Sequence, residues 1–340
     1  MIAPDTPKQL SYERRRRWPA EQAQKWFAAR PLPFGFNYVT STAVNSTEMW
    51  LAETFDQDTI TKELQWGGEL GFNSCRVFLP FIVWDADSQG FLSRLDAFLT
   101  IASKAGLSTV PILFDDCAFA GKEPFLGPQD PPVLGKHNSG WTPSPGFQIA
   151  DDMDMWPRLE QYVAAVTGQF GRDERILTWD LYNEPGNSQR GARSEPLLRA
   201  VFHWAEEHAS QPLTTGAWGA SVLDHLCIEL SDVVSFHIYD SLEATENTIR
   251  QLQQHGRPLL CTEWMARTRD SRFITHLPLF GREQAGCFNW GLVNGKTQTH
   301  FPWGSSDPTI WFHDVFTQEG EPYDPEEIAA IRAFATEQEV

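Results

Sequence analysis

Short apolar runs alternate with longer amphipathic ones along most of the chain, the pattern of a parallel sheet whose strands are joined by helical crossovers. Eight β-rich runs can be picked out in order, at residues 34–38, 74–79, 108–114, 176–182, 213–215, 233–238, 258–262 and 285–290. Between them lie helical patterns at 58–70, 92–105, 156–170, 195–208 and 242–255, with a last one at 325–335. In the first, Ile60, Leu64, Gly67 and Leu70 share one side and Gly71 supplies the stop; Gly106 and Gly171 end the next two in the same way. A further helical segment at 11–30 precedes Pro31 and Pro33, which break it, and is placed to cap the bottom of a barrel. The reading is an α/β chain forming one (β/α)8 TIM barrel over residues 1–340, with residues 1–33 as an N-terminal helical extension.

Two connections are too long for plain crossovers: 115–151, rich in Pro and Gly, and 291–313, rich in Trp, Thr and Gly. Both follow strand C-termini, the face of such barrels where active sites lie. Composition narrows the partner. With 41% hydrophobic and 21% charged residues the chain can bury a large core, and a net charge of -18 disfavours nucleic acid and anionic membrane surfaces. No apolar stretch reaches the roughly 20 residues that span a bilayer. Met1 to Leu10 lacks an apolar export core, and the basic run Arg14 to Arg17 leads into polar residues, so a cytoplasmic location is expected. The cysteines at 75, 117, 227, 261 and 287 are scattered and read as free thiols. Fourteen Trp and 23 Phe supply flat rings that fill a core or, in a cleft, stack on sugar faces. Oligomeric state is not legible.

Chemistry concentrates at two strand ends. In Trp179-Asp180-Leu181-Tyr182-Asn183-Glu184-Pro185 an apolar strand stops at Asn-Glu-Pro, because Pro185 removes a ladder donor. Glu184 then stands at the barrel mouth, where a low dielectric raises a carboxyl pKa and keeps a general acid protonated; a plain turn with a solvated Glu is the competing reading. Leu259-Leu260-Cys261-Thr262-Glu263-Trp264 is a second buried strand ending in Glu, with a strand-end salt bridge as its plainer explanation. Facing each other at about 5–5.5 Å, the two carboxyls would act as acid/base and nucleophile with net retention; at about 6.5–9.5 Å they would admit a water and invert.

These residues resemble the clan of retaining β-glycosidases with (β/α)8 barrels, most closely the broad family 5 (cellulase-like) glycoside hydrolases, over Phe34 to about His313. The resemblance implies Glu184 as acid/base, Asn183 beside it, Glu263 as nucleophile, Arg76 orienting that nucleophile, His237 and Tyr239 as a His-x-Tyr after the sixth strand, and Trp290 under the sugar. An Arg and a Tyr hydroxyl beside Glu263 would keep it ionised. Members commonly carry a His after the third strand, where this chain has Asp115, Asp116 and Cys117. Asp115 or His137 takes over that contact, or they are a solvated loop Asp and a structural His.

Asn37, Tyr38, Asn45 and Glu48 follow the first strand and line the mouth or cap loops. Trp84 and Asp85 follow the second, and Trp141 sits in a His137-Asn138-Ser139-Gly140-Trp141 segment suited to sugar contact or to loop packing. Asn294, Lys296, Gln298 and Trp303 in the last long loop are assigned to substrate contact. No helical His pair, ligand loop, dinucleotide fingerprint or serine elbow is present, so neither metal nor cofactor is expected. The expected activity is hydrolysis of a neutral β-linked glycoside by double displacement, exo-acting because Trp141 and Trp303 wall in one end of the cleft. The alternatives are a transglycosylase of the same fold and a catalytically silent carbohydrate-binding barrel.

Overall fold

The computed structural model describes residues 16–338. Part of the helical segment expected at 11–30, the Met1 to Leu10 stretch, Arg14 and Arg15 lie outside the described residues. Eight parallel strands close into a barrel in sequence order: β1 (Phe34–Tyr38), β2 (Ser74–Phe78), β3 (Ser108–Asp115), β4 (Trp179–Asn183), β5 (Leu213–Ala217), β6 (Val234–His237), β7 (Leu259–Trp264) and β8 (Gly286–Trp290), which pairs back onto β1. The helices surround them, and Pro325–Glu337 completes the ring against the helices Phe273–Glu283 and Gln57–Leu70. Among the described residues no helix is long and apolar enough to cross a membrane. All five cysteines are free and buried.

The interior of the barrel is layered. At the bottom Val110, Leu177, Val233, Leu260 and Phe288 form an apolar plug, closed from below by Trp26 and Phe27 of the helix Ala20–Ala28. The expected N-terminal cap is therefore present, anchored where Arg257 donates to the Trp18 carbonyl at 2.7 Å and the Trp18 amide to Asp232 at 2.8 Å. Above the plug the interior turns polar, with Arg76, Asp180 and Thr262 fully buried. At the mouth Phe78, Ile112, Cys117, Trp141 and Trp290 form a small aromatic floor.

Strand registers break at three places, between Asp180 and Asn183 in β4, Phe236 and His237 in β6, and Cys261 and Trp264 in β7. Bulges of this kind re-aim side chains at barrel rims. Here they fall on the strands that carry Glu184, His237 and Glu263. Backbone strain gathers at the same end: of the non-glycine residues with positive φ, all but Gln284 lie in the loops after β3, β4, β7 and β8.

The two long loops are laced to each other. The Asn138 amide donates to the Thr297 carbonyl at 2.7 Å, Gly135 to Gln298 Oε1 at 2.9 Å, and Gln298 Nε2 to the Val133 carbonyl at 2.8 Å. The loop after β1 joins this seam, since Asn45 Nδ2 donates to the Gly140 carbonyl at 2.9 Å and Lys296 pairs with Glu48 at 3.0 Å.

Candidate active site

A cavity of about 720 Å³ opens at the C-terminal mouth and holds Glu184 and Glu263. Glu184 follows β4 with a left-handed backbone, φ 45°, which the loop maintains through Asp116, whose Oδ2 accepts from the Gly186 amide at 2.7 Å and from Ser194 while Oδ1 accepts from the Tyr182 hydroxyl. A carboxylate oxygen of Glu184, one of Glu263 and a ring nitrogen of His237 all lie within 4.8 Å of one another.

The two carboxyls sit in different surroundings. Glu263 Oε1 accepts from Arg76 Nη1 at 2.8 Å and Oε2 from the Tyr239 hydroxyl at 2.9 Å. Burial pushes Tyr239 well above the usual phenol range, so it stays a donor. Arg76 is wholly buried, yet Asp180, which accepts from its Nε and Nη2 at 3.0 and 2.7 Å, and Glu263 keep it charged. Glu184 has no such cation in contact. Its Oε2 accepts from the Cys117 thiol at 3.3 Å and from Asn187 Nδ2, and its Oε1 lies 2.7 Å from His237 Nδ1. Burial raises both carboxyls above their ordinary values. Two like charges this close cannot both ionise cheaply, and the direct contact of Arg76 with Glu263 favours the charge there over Glu184.

His237 is neutral, because burial lowers it to about 4. Its Nε2 lies 3.0 Å from Thr262 Oγ1, a hydroxyl that can donate or accept. One tautomer therefore accepts from a protonated Glu184, and the other donates to an ionised one. Glu184, His237 and Glu263 are also the one group of three among the described residues with the spacing to embrace a cation. Arg76 already supplies positive charge at Glu263, and both ring nitrogens of His237 are engaged.

The other expected contacts divide into those the structure brings to the cavity and those it does not. Asn183, His237, Tyr239, Trp290, His137, Trp141 and Trp303 line it. Asn183 is largely committed, accepting from Arg76 Nη2 at 2.6 Å and donating to Asp115 at 2.8 Å. Arg76 and Asn37 lie beneath the floor, where Asn37 accepts from Arg76 at 2.6 Å and donates to the Thr262 carbonyl at 2.7 Å. Asp115 is buried behind the cavity and accepts from Asn183 Nδ2, the Cys117 amide and Trp141 Nε1; burial still pushes it up to about 7.

Lys296 is not brought to the cavity, because Glu48 holds it at the outer seam. Gln298 is spent on lacing the loops, and Asn294, whose backbone N–H donates to the Phe316 carbonyl, does not line the cavity. Of the residues after β1 and β2, Tyr38 turns outward to Glu63 at 2.7 Å, Asn45 caps the helix Ser46–Trp50, and Asp85 accepts from Arg158. Sequence reasoning passed over Cys117, Asn187, Trp218 and His313, which line the cavity, and Asp180 beneath it. Asp180 alone carried a usable signal. An acid inside an apolar strand needs a buried counter-charge, and Arg76 is the one Lys or Arg among the strand runs.

No family model matches the sequence, and no curated protein matches it. Solved structures do match in shape. An exo-β-1,4-mannosidase from Opitutaceae bacterium strain TAV5 superposes with a TM-score of 0.59 at 18% identity, covering 92% of this chain and 60% of that one. A GH5_18 protein from Streptomyces cattleya in complex with GlcNAc gives 0.60 at 13% identity, covering 92% and 81%. An endo-1,4-β-mannanase from Rhizomucor miehei gives 0.60 at 11%, covering 91% and 95%. The fold is theirs. The first of these chains extends well beyond the length matched here, and at such identities the likeness is one of architecture.

Proposed function

We propose that the protein is a retaining β-glycosidase in the manner of the family 5 glycoside hydrolases, acting on a neutral β-linked glycoside. The observation that carries this reading is the pair Glu184 and Glu263, with carboxylate oxygens within 4.8 Å and unequal surroundings. That spacing is on the short side, suited to direct attack by one carboxylate, rather than the wider separation of an inverting pair that holds the attacking water. Glu263, held by Arg76 and Tyr239, attacks the anomeric carbon while Glu184 protonates the leaving oxygen; Glu184 then takes a proton from the water that releases the sugar. The leaving group lies on the Glu184 side, toward Asn187 and Trp218. The retained sugar lies toward Trp290, Tyr239 and the laced loops.

β-Mannosides are the first substrates to test, since the structural neighbours include an exo-β-1,4-mannosidase and an endo-1,4-β-mannanase. Those two modes share one fold, so architecture does not choose between them. The loops after β3 and β8, laced to each other and contributing His137, Trp303 and His313 to the cavity lining, favour exo action. The test of mechanism is Glu184→Ala with an aryl glycoside bearing a good leaving group. Added azide should restore turnover and give a β-glycosyl azide; an α-azide would show inversion and overturn the reading.

A further inference from the structure

Three buried polar atoms on residues that line the cavity have no hydrogen-bond partner: Asn138 Oδ1, His313 Nε2 and Trp218 Nε1. Buried polar groups are nearly always paired, so such atoms at a ligand cavity call for ligand atoms to complete them. Their chemistry is sorted by position. Trp218, a donor, follows β5 on the leaving-group side, whereas His313, an acceptor, and Asn138, whose amide offers both a donor and an acceptor, sit in the loops after β8 and β3.

The state of His313 is fixed. Its Nδ1 lies 2.6 Å from the Met265 carbonyl, which can only accept, so Nδ1 carries the hydrogen. Burial holds the ring neutral, well below the ordinary histidine value, and Nε2 is left as a bare lone pair. His137 beside it, with ring centroids 5.3 Å apart, has the same tautomer, but its Nε2 already accepts from Trp303 Nε1 at 3.2 Å. His313 therefore differs from its neighbour in having an unspent acceptor. The ring packs 5.4 Å from that of Tyr239, whose hydroxyl touches Glu263, and so flanks the space of a sugar joined to Glu263. Asn138, 1% exposed and next to His137, makes no side-chain hydrogen bond among the described residues.

We propose that His313 and Asn138 read the retained sugar, His313 accepting a hydrogen bond from one of its hydroxyl groups and Asn138 pairing through its amide with another, and so select a neutral ring that carries both hydroxyls. This rests on the glycosidase reading and adds the residues that choose its substrate. A hydroxyl supplies the O–H that a fixed lone pair needs, and a sugar lacking that hydroxyl leaves the acceptor buried and unpaired.

The experiment measures kcat/KM on para-nitrophenyl β-D-mannopyranoside and β-D-glucopyranoside, then on the monodeoxy derivatives of whichever is turned over faster. His313→Phe keeps the ring's bulk and removes the acceptor; His313→Gln restores one. On the parent sugar His313→Phe should lose about 10- to 100-fold and His313→Gln less. On one deoxy derivative the loss should shrink to within about threefold, the coupling expected when the residue and that hydroxyl interact. Asn138→Gly, which keeps the left-handed backbone at φ 48°, should show the same pattern against a different hydroxyl. Equal losses on every derivative, or no loss on the parent, would overturn this proposal and leave the glycosidase reading standing. A wild-type protein inert on both parent glycosides would overturn the two together.

Discussion

On the proposed mechanism, a proton held between Glu184 and Glu263 sets the pH dependence. Turnover would then need Glu263 ionised and Glu184 protonated, so the rate should rise through the first titration and fall through the second. Burial raises both, which puts each limb above the ordinary carboxylate range. Glu184→Gln should cost roughly 10²- to 10⁴-fold with an unactivated glycoside. With a leaving group that needs no acid, the same variant should keep fast glycosylation in single-turnover kinetics and lose the alkaline limb. Asp115 gives a separate test through stability. Its folded value near 7 exceeds the unfolded value of 3.8, so its favourable contribution is complete below the lower value and gone once pH passes the upper. The Tm deficit of Asp115→Asn should therefore be largest near pH 4 and smaller by pH 8; a constant deficit would contradict it. Glu184, Asn183 and Glu263 were legible because each ends an apolar run. Asp115 was not: the sequence places it at the mouth, and only packing shows it turned behind Asn183 and Trp141.

Among the elements, the strands were the most readable. β1 has the expected bounds, and the others differ at their ends by up to three residues, the largest shift being the start of β4 at Trp179. The helix Phe273–Glu283 was hidden because Pro278 and Gly281 interrupt its period, and Asp224–Leu230 is too short to show one. Register was invisible, since bulges depend on neighbouring strands. Gly35 in β1 shows how tight those neighbours are: a Cβ there would lie 2.4 Å from the Ser74 carbonyl oxygen and 2.7 Å from the Phe288 ring. Gly35→Ala should destabilise the barrel by about 1–3 kcal/mol, read as a lower urea midpoint with an unchanged m-value. The loop seam has its own test. Gln298→Ala removes both side-chain bonds to the loop after β3 and should speed limited proteolysis around residues 119–137, with little change in circular dichroism.

For the whole molecule, the proposed exo action predicts the course of degradation. Incubated with a linear β-1,4-mannohexaose, the enzyme should release monosaccharide from the first time point, whereas early internal fragments of mixed length would contradict exo action. The layered interior adds a thermal consequence. The bottom of the barrel is an apolar plug under a helical cap, while the mouth combines positive-φ side chains, unpaired polar atoms and buried carboxyls. Such features cost of order 1–3 kcal/mol each and leave the loops that hold them the least stable part of the fold. Heating should abolish turnover several degrees before the far-ultraviolet signal melts, and a bound sugar-like inhibitor should close that gap. The left-handed backbone at Glu184 carries this to one position, since glycine occupies that conformation freely. A Glu184→Gly protein, without its proposed acid, should outlast the wild type on heating, so that an unbiased screen for thermostability in this barrel would select against the proposed chemistry.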